Sequence, residues 1–188
     1  MNWRVALIAV AAVAAVALLA WLLQGGKPQV EQAEILEVDE LPTPTPAPEQ
    51  RVILLFVGQD GLLHPELRSV PLPEEVHERI RVVMEELLAG PRSTASLAPP
   101  VPYQASLNAV FVNGEGEAFV DLTAPPDPLT GSSTELMLTY GVVNSIILNC
   151  PEISAVQVLF GGHEVDTLTG HLDLSRPLVL NRRFIAAS

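Results

Sequence analysis

Four residues near the C-terminus carry side chains that ligate metals: His163, Asp166, His171 and Asp173. Imidazole nitrogen and carboxylate oxygen together suit zinc and other first-row ions. Their setting points to a plainer role. His163 follows the Gly161-Gly162 turn, and Asp166 falls in the strand expected after it. Histidines and acids beside turns are commonly solvated or bonded to nearby main chain, so no metal site is expected. Glu117 and Asp121 lie four residues apart in an expected strand, about 13 Å along it. That is too far for the paired carboxylates of glycoside hydrolysis. Ser132, Ser133, Ser145 and Ser154 have no G-x-S-x-G or S-x-x-K context. No phosphate loop and no H-E-x-x-H occurs. The reading is a protein that is not an enzyme and needs no cofactor. Cys150 is the one cysteine, which excludes an internal disulfide framework and multi-cysteine zinc modules. It falls on an apolar helix face, where a free cysteine serves as a small buried hydrophobe.

The elements that must position these residues fall into three segments. Residues 5–23 are nineteen consecutive apolar residues, with Trp3 and Trp21 near the ends. About 20 such residues form a helix that crosses a bilayer. The run is longer than the apolar core of a cleaved secretory signal, so residues 1–23 read as an uncleaved transmembrane signal anchor. Arg4 precedes it and acidic residues follow it, which orients the N-terminus to the cytoplasm. Localisation in the cell membrane follows, as a single-pass protein with its C-terminal domain outside. Residues 24–50 combine acids with alternating prolines from Pro42 to Pro48, an extended linker. Residues 51–188 then form the domain, with eight arginines and no lysine against sixteen acids, a net charge of −8. The whole chain carries −12, which argues against nucleic-acid binding.

Within the domain, Val52–Val57 reads as a strand buried on both faces. Prolines 65, 71 and 73 restrict residues 62–71 to short edge pieces. A helix starts at Pro73, with Val76, Ile80, Val83, Met84, Leu87 and Leu88 on one stripe, and stops at Gly90-Pro91. Ser106–Val112 and Glu117–Leu122 form a hairpin about Asn113-Gly114-Glu115-Gly116. Ser132-x-x-Glu135 reads as a capping box opening a helix to about Asn149. Ala155–Phe160 is a further strand, and Gly161-Gly162 turns into Val165–Leu168 as a second hairpin. The fold class is α+β, in the order β-α-β-β-α-β-β, with two amphipathic helices packed on one face of a small mixed β-sheet.

The domain resembles the GerMN family, named for a protein of spore formation and germination. The resemblance spans about residues 51–181. It is carried by Asp60-Gly61-x-Leu63 with Arg68-x-Val70, and by Leu87-Leu88-Ala89-Gly90-Pro91. It continues through Val142-Val143-Asn144-Ser145-Ile146 with Pro151, Val156–Gly162, and Gly170–Leu178. The resemblance implies an extracytoplasmic assembly or interaction module, with no known catalytic residues. Several strands are apolar on both faces, so a face not covered by the helices needs the tail, a loop or another chain over it. The expected interaction surface is Val52, Leu54, Phe56, Phe111, Phe119 and Leu159. The expected partners are proteins or a second copy, outside the membrane that residues 5–23 enter. Binding of cell-wall polymer is the alternative, which the scarcity of exposed aromatics disfavours.

Overall fold

The structure is a computed structural model, and it describes residues 18–19, 48–102, 104–123 and 131–187. Two of the expected anchor's residues, Leu18 and Leu19, are helical, while the rest of it and the linker up to residue 47 lie outside the described residues. Among the described residues no helix is long and apolar enough to cross a membrane.

Residues 48–187 build two three-stranded sheets with two helices against them. The first sheet has β1 (Glu49–Gly58) in the centre, β2 (Leu63–Pro71) on one side and the short β3 (Leu97–Ala98) on the other, all antiparallel. The second runs β4 (Leu107–Val112), β5 (Glu117–Leu122), β6 (Ala155–Phe160), with β4 antiparallel and β6 parallel to β5. Helix α1 spans Val76–Leu88 and α2 spans Ser132–Asn149. The expected single sheet is thus two. The proline-bearing stretch 63–71 forms one continuous nine-residue strand, because β2 is an edge and its prolines need no outer partner.

Helix α1 follows its sequence stripe. Ile80, Val83, Met84 and Leu87 are buried, and Gly90 ends the helix at φ 82°, donating its N–H to Leu87 O. The helix begins at Val76, with Glu75 extended before it, three residues later than the prolines suggested. Arg68 of β2 reaches the other end. Its guanidinium is buried over the Phe56 ring and donates to the carbonyls of Glu86 and Gly90 and to the carboxylates of Glu66 and Glu86. A buried cation on the last carbonyls of a helix complements its dipole.

Helix α2 departs from the amphipathic expectation. Every residue from Met137 to Ile146 is buried, because the helix packs against β1, β6 and α1 at once. Several of its polar residues serve neighbouring main chain, while the buried Thr139 hydroxyl has no hydrogen-bond partner. β3 pairs only with Val57 and Gly58, which leaves the same edge of β1 open further back. There Asn149 accepts from Ile53 N at 2.8 Å and donates to Ile53 O at 2.7 Å. One helical turn earlier, Ser145 Oγ accepts from Leu55 N at 3.1 Å. Two side chains spaced i, i+4 thus stand in for a neighbouring strand over residues spaced i, i+2. Gly141 allows the closest approach on this helix: a Cβ there would overlap Pro100.

Replacing Asn149 by Leu removes both partners of Ile53 in a part-buried setting. We expect a loss of about 2–4 kcal/mol in urea unfolding. Asn149→Asp, which keeps the acceptor alone, recovers only part of it.

Candidate functional site

The second sheet has an inner and an outer face. Val110, Ala118, Val120, Leu122, Val156, Val158 and Phe160 are buried on the inner face, toward the helices. Phe111, Phe119 and Leu159 alternate with them and lie on the outer face. Phe111 stands directly opposite Phe119 and is 63% exposed, while Phe119 and Leu159 are half-buried. These three of the six expected surface residues share one face. Val52, Leu54 and Phe56 do not join them. All three are fully buried, on the face of β1 that carries Phe56 under Arg68. The expectation that these three belong to an interaction surface fails because both helices pack against this strand and the domain covers it from within.

What covers the outer face is the C-terminal segment 163–187, a strap. Leu178 and Val156 exchange N–H···O bonds of 2.8 Å, so the strap runs along the free edge of β6. Gln157, buried on the outer face, donates to Leu174 O at 2.6 Å, and Leu174 is itself buried. Further on, Asn181 donates its N–H to Asn144 Oδ1 and accepts from Asn144 Nδ2, both at 2.9 Å. Phe184 stacks on Tyr140 with ring centroids 4.5 Å apart, and Ala186 N donates to Leu63 O of the first sheet. The strap therefore closes the β6 side and joins both sheets. It does not reach Phe111.

The firmest attachment is electrostatic. Glu135 has no solvent exposure. Its Oε1 accepts from Thr167 Oγ1 and Leu168 N, each at 2.7 Å, and from Thr169 N at 3.1 Å. Its Oε2 accepts from Thr169 Oγ1 at 2.7 Å and His171 N at 3.0 Å. Burial pushes this carboxyl's pKa up. The hydrogen bonds from Thr167, Thr169 and Leu168 outweigh that and hold it down at about 2. The expected capping box is absent: Gly131, at φ 92°, is the N-cap and no side chain caps the helix. Glu135 spends both oxygens on the strap instead. The expected Val165–Leu168 strand is absent for the same reason. The Gly161-Gly162 turn forms and Phe160 bridges to His163, but the chain then bends to present its N–H groups to Glu135.

The residues weighed for metal chemistry are dispersed. His163 bonds through its main chain, Asp166 offers its carbonyl to Leu174 N, and Asp173 accepts from Ser175. Among the described residues no three metal-ligating side chains come together. Glu117 accepts from Asn113, and Asp121 from Asn108 and Gly162 N, so each carboxylate holds a turn or bulge. Cys150 is buried, and burial pushes its thiol up to about 11. A cleft of about 520 Å³ beside the β1–β2 turn is lined by Gln59, Asp60, His64 and Ser96 among others. There His64 Nε2 meets both Asp60 oxygens at 2.9 and 3.0 Å. What sequence reasoning missed is that Glu135, read as a capping residue, and Asn144, Ser145 and Asn149 bond to main chain of other elements. Their signal was small polar residues on several sides of an otherwise apolar helix.

A family model for Germane, described as sporulation and spore germination, matches residues 53–166, more than half the chain. It stops one residue before Thr167. No curated protein matches the sequence. A crystal structure of a protein from Clostridium perfringens described as a lipoprotein is 21% identical, with a TM-score of 0.51, and the match covers 70% of this chain and 87% of that one. At this identity it shows a shared fold. The tandem GerMN domains of the sporulation protein GerM from Bacillus subtilis match at 15% identity and TM-score 0.48, over 72% of this chain and 47% of that one. The first GerMN domain of the same protein matches at 16% and 0.47, over 71% and 98%.

Glu135 gives a pH test with a definite sign. Its folded pKa lies below the ordinary 4.5, so its contribution is complete above about pH 4.5 and is lost as pH falls through about 2. A shift of this size corresponds to about 3 kcal/mol at neutral pH. Urea unfolding of Glu135→Gln is expected to show most of that loss at pH 7. The gap from the parent chain narrows as the pH is lowered from about 4.5 toward 2.

Proposed function

The chain belongs to the Germane family of sporulation and spore germination domains, and we propose from that premise that it is a non-enzymatic interaction module of a bacterial cell-envelope assembly. It is held outside the cytoplasm by the apolar segment 5–23 and spaced from the membrane by the linker 24–50. The assembly is one linked to sporulation. The observation that carries this reading is the use made of buried polar groups. Arg68, Glu135, Asn144, Ser145 and Gln157, all buried, and the part-buried Asn149 are each bonded to main chain of another element. None of them is left to act on a substrate. What the domain offers outward is a sheet face open at Phe111, beside the half-buried Phe119, on a double-sheet frame.

Location is tested at Phe111, which is exposed. In cells making the full-length Phe111→Cys chain, a membrane-impermeant maleimide is expected to label without permeabilisation. Labelling only after permeabilisation would exclude an extracytoplasmic domain. The parent chain is the control, since Cys150 is buried with a raised pKa.

A second reading, binding of cell-wall polymer, draws on the cleft at Gln59, Asp60, His64 and Ser96. Amide, carboxylate, imidazole and hydroxyl groups suit a sugar rich in hydroxyls and amides. Among the described residues no Trp, Tyr or Phe lines it to stack on a sugar face. The protein is expected to stay in the supernatant when purified cell wall is sedimented at moderate salt. Co-sedimentation abolished by Asp60→Ala would favour the polymer instead.

A further inference from the structure

Two long strands, β2 and β4, have no strand on their outer side over most of their length, β2 meeting only Ile185 and Ala186 of the strap at Leu63, and the two are built differently. β2 carries Pro65, Pro71, Glu66 and Arg68, the prolines and charges that keep one sheet from pairing with another. β4 reads Leu-Asn-Ala-Val-Phe-Val, with neither charge nor proline, and pairs only with β5. Its one irregularity is a bulge between Leu107 and Ala109, at the far end from the hairpin. The hairpin bond from Asn113 N to Glu117 O sets the alternation along the strand. Phe111 and Phe119 then exchange main-chain bonds, while the N–H and C=O groups of Val110 and Val112 point away from β5, to the open edge.

We propose that this edge pairs antiparallel with the same edge of a second copy of the chain. This names a partner for the interaction module inferred above and rests on that reading. An antiparallel joint between identical strands is self-complementary about a two-fold axis. Using all four outward groups of each copy fixes the register: Val110 lies opposite the partner's Val112, and Phe111 opposite the partner's Phe111. The two sheets become one of six strands. The Phe111 rings meet at a non-hydrogen-bonded position, where Cα atoms approach to about 4.5 Å. Each ring keeps its own Phe119 on the other side, so four aromatic residues form a row across the outer face. Aromatic cross-strand pairs of this kind stabilise sheets.

Charge selects the same arrangement. Each domain is strongly acidic, and two copies repel unless the joint itself is neutral. The six residues of β4 are neutral. In this register the acidic hairpin tip, Glu115 and Glu117, sits beside the uncharged Leu107 end of the other copy, so the two tips lie at opposite ends. The residual repulsion between whole domains is screened by salt, and pairing strengthens as ionic strength rises.

The test is disulfide trapping in membranes from cells that make the full-length chain. Phe111→Cys is expected to give a dimer on non-reducing gels under mild copper-catalysed oxidation, at least tenfold faster than Leu67→Cys. Leu67 is equally exposed, at 59%, but lies on the guarded β2 edge, so it reports random collision. Ala109→Cys is expected to cross-link poorly, because the register sets its two copies about 13 Å apart along the strands. The Phe111→Cys yield should rise with salt. A Phe111→Cys rate no greater than that of Leu67→Cys overturns the self-pairing. A faster rate for Ala109→Cys overturns the register. Neither result touches the module reading, which stands or falls on the maleimide and cell-wall experiments.

Discussion

A helix buried on every side has no wet stripe on which to carry its polar residues. That constraint organises this domain. Helix α2 lies against β1, β6 and α1 together, yet it contains Glu135, Asn144, Ser145 and Asn149 in or beside its buried stretch. Each unpaired polar group in such a place costs on the order of 1–3 kcal/mol. The structure meets the cost by giving every one of these side chains a length of foreign main chain. Asn149 and Ser145 complete β1 where β3 has run out. Glu135 and Asn144 hold two points of the C-terminal strap. Removing the helix in thought removes the completed edge of β1 and two of the strap's anchors.

The same arrangement explains why the outer face is open at one end and closed at the other. The strap is fixed to α2 and to β6, so its cover extends only as far as these anchors allow. Gln157 and Leu174 seal the β6 side. Two strands away, on β4, nothing comparable is attached among the described residues, and Phe111 stays exposed. The distribution of apolar surface follows from where the buried polar pins are placed.

Much of this frame was legible in the sequence, because local signals and tertiary structure agree there. The α1 stripe, the Asn113–Gly116 turn and the Gly90-Pro91 stop appear where spacing and turn chemistry put them. The family was legible as well, from motifs in their order. The failures share one cause, long-range pairing that no local window contains. Ser132-x-x-Glu135 has the form of a capping box, but a carboxylate facing five donors from residues 167–171 is held far more firmly than by a single N-terminal amide. Val165–Leu168 has a strand's composition and loses its strand to the same carboxylate. An apolar strand such as Val52–Val57 does not reveal whether one or two layers cover it, so buried Val52, Leu54 and Phe56 were grouped with surface Phe111. The division into two sheets depends on β5 pairing with β6 across the whole of α2, which composition does not encode.

The strap is synthesised after all six strands and both helices. Until residues 167–181 leave the ribosome, Glu135 is an ionised carboxylate and Asn144 an amide in a helix that already has reason to collapse against β1. An unpaired buried charge opposes that collapse, so the domain's final consolidation waits on the strap. A chain cut short before Thr167 keeps nearly every strand and both helices, yet carries a penalty at its centre. Such a product stays loosely packed and open to proteases, so the fold distinguishes domains that have their strap from those that lack it by the state of a single side chain.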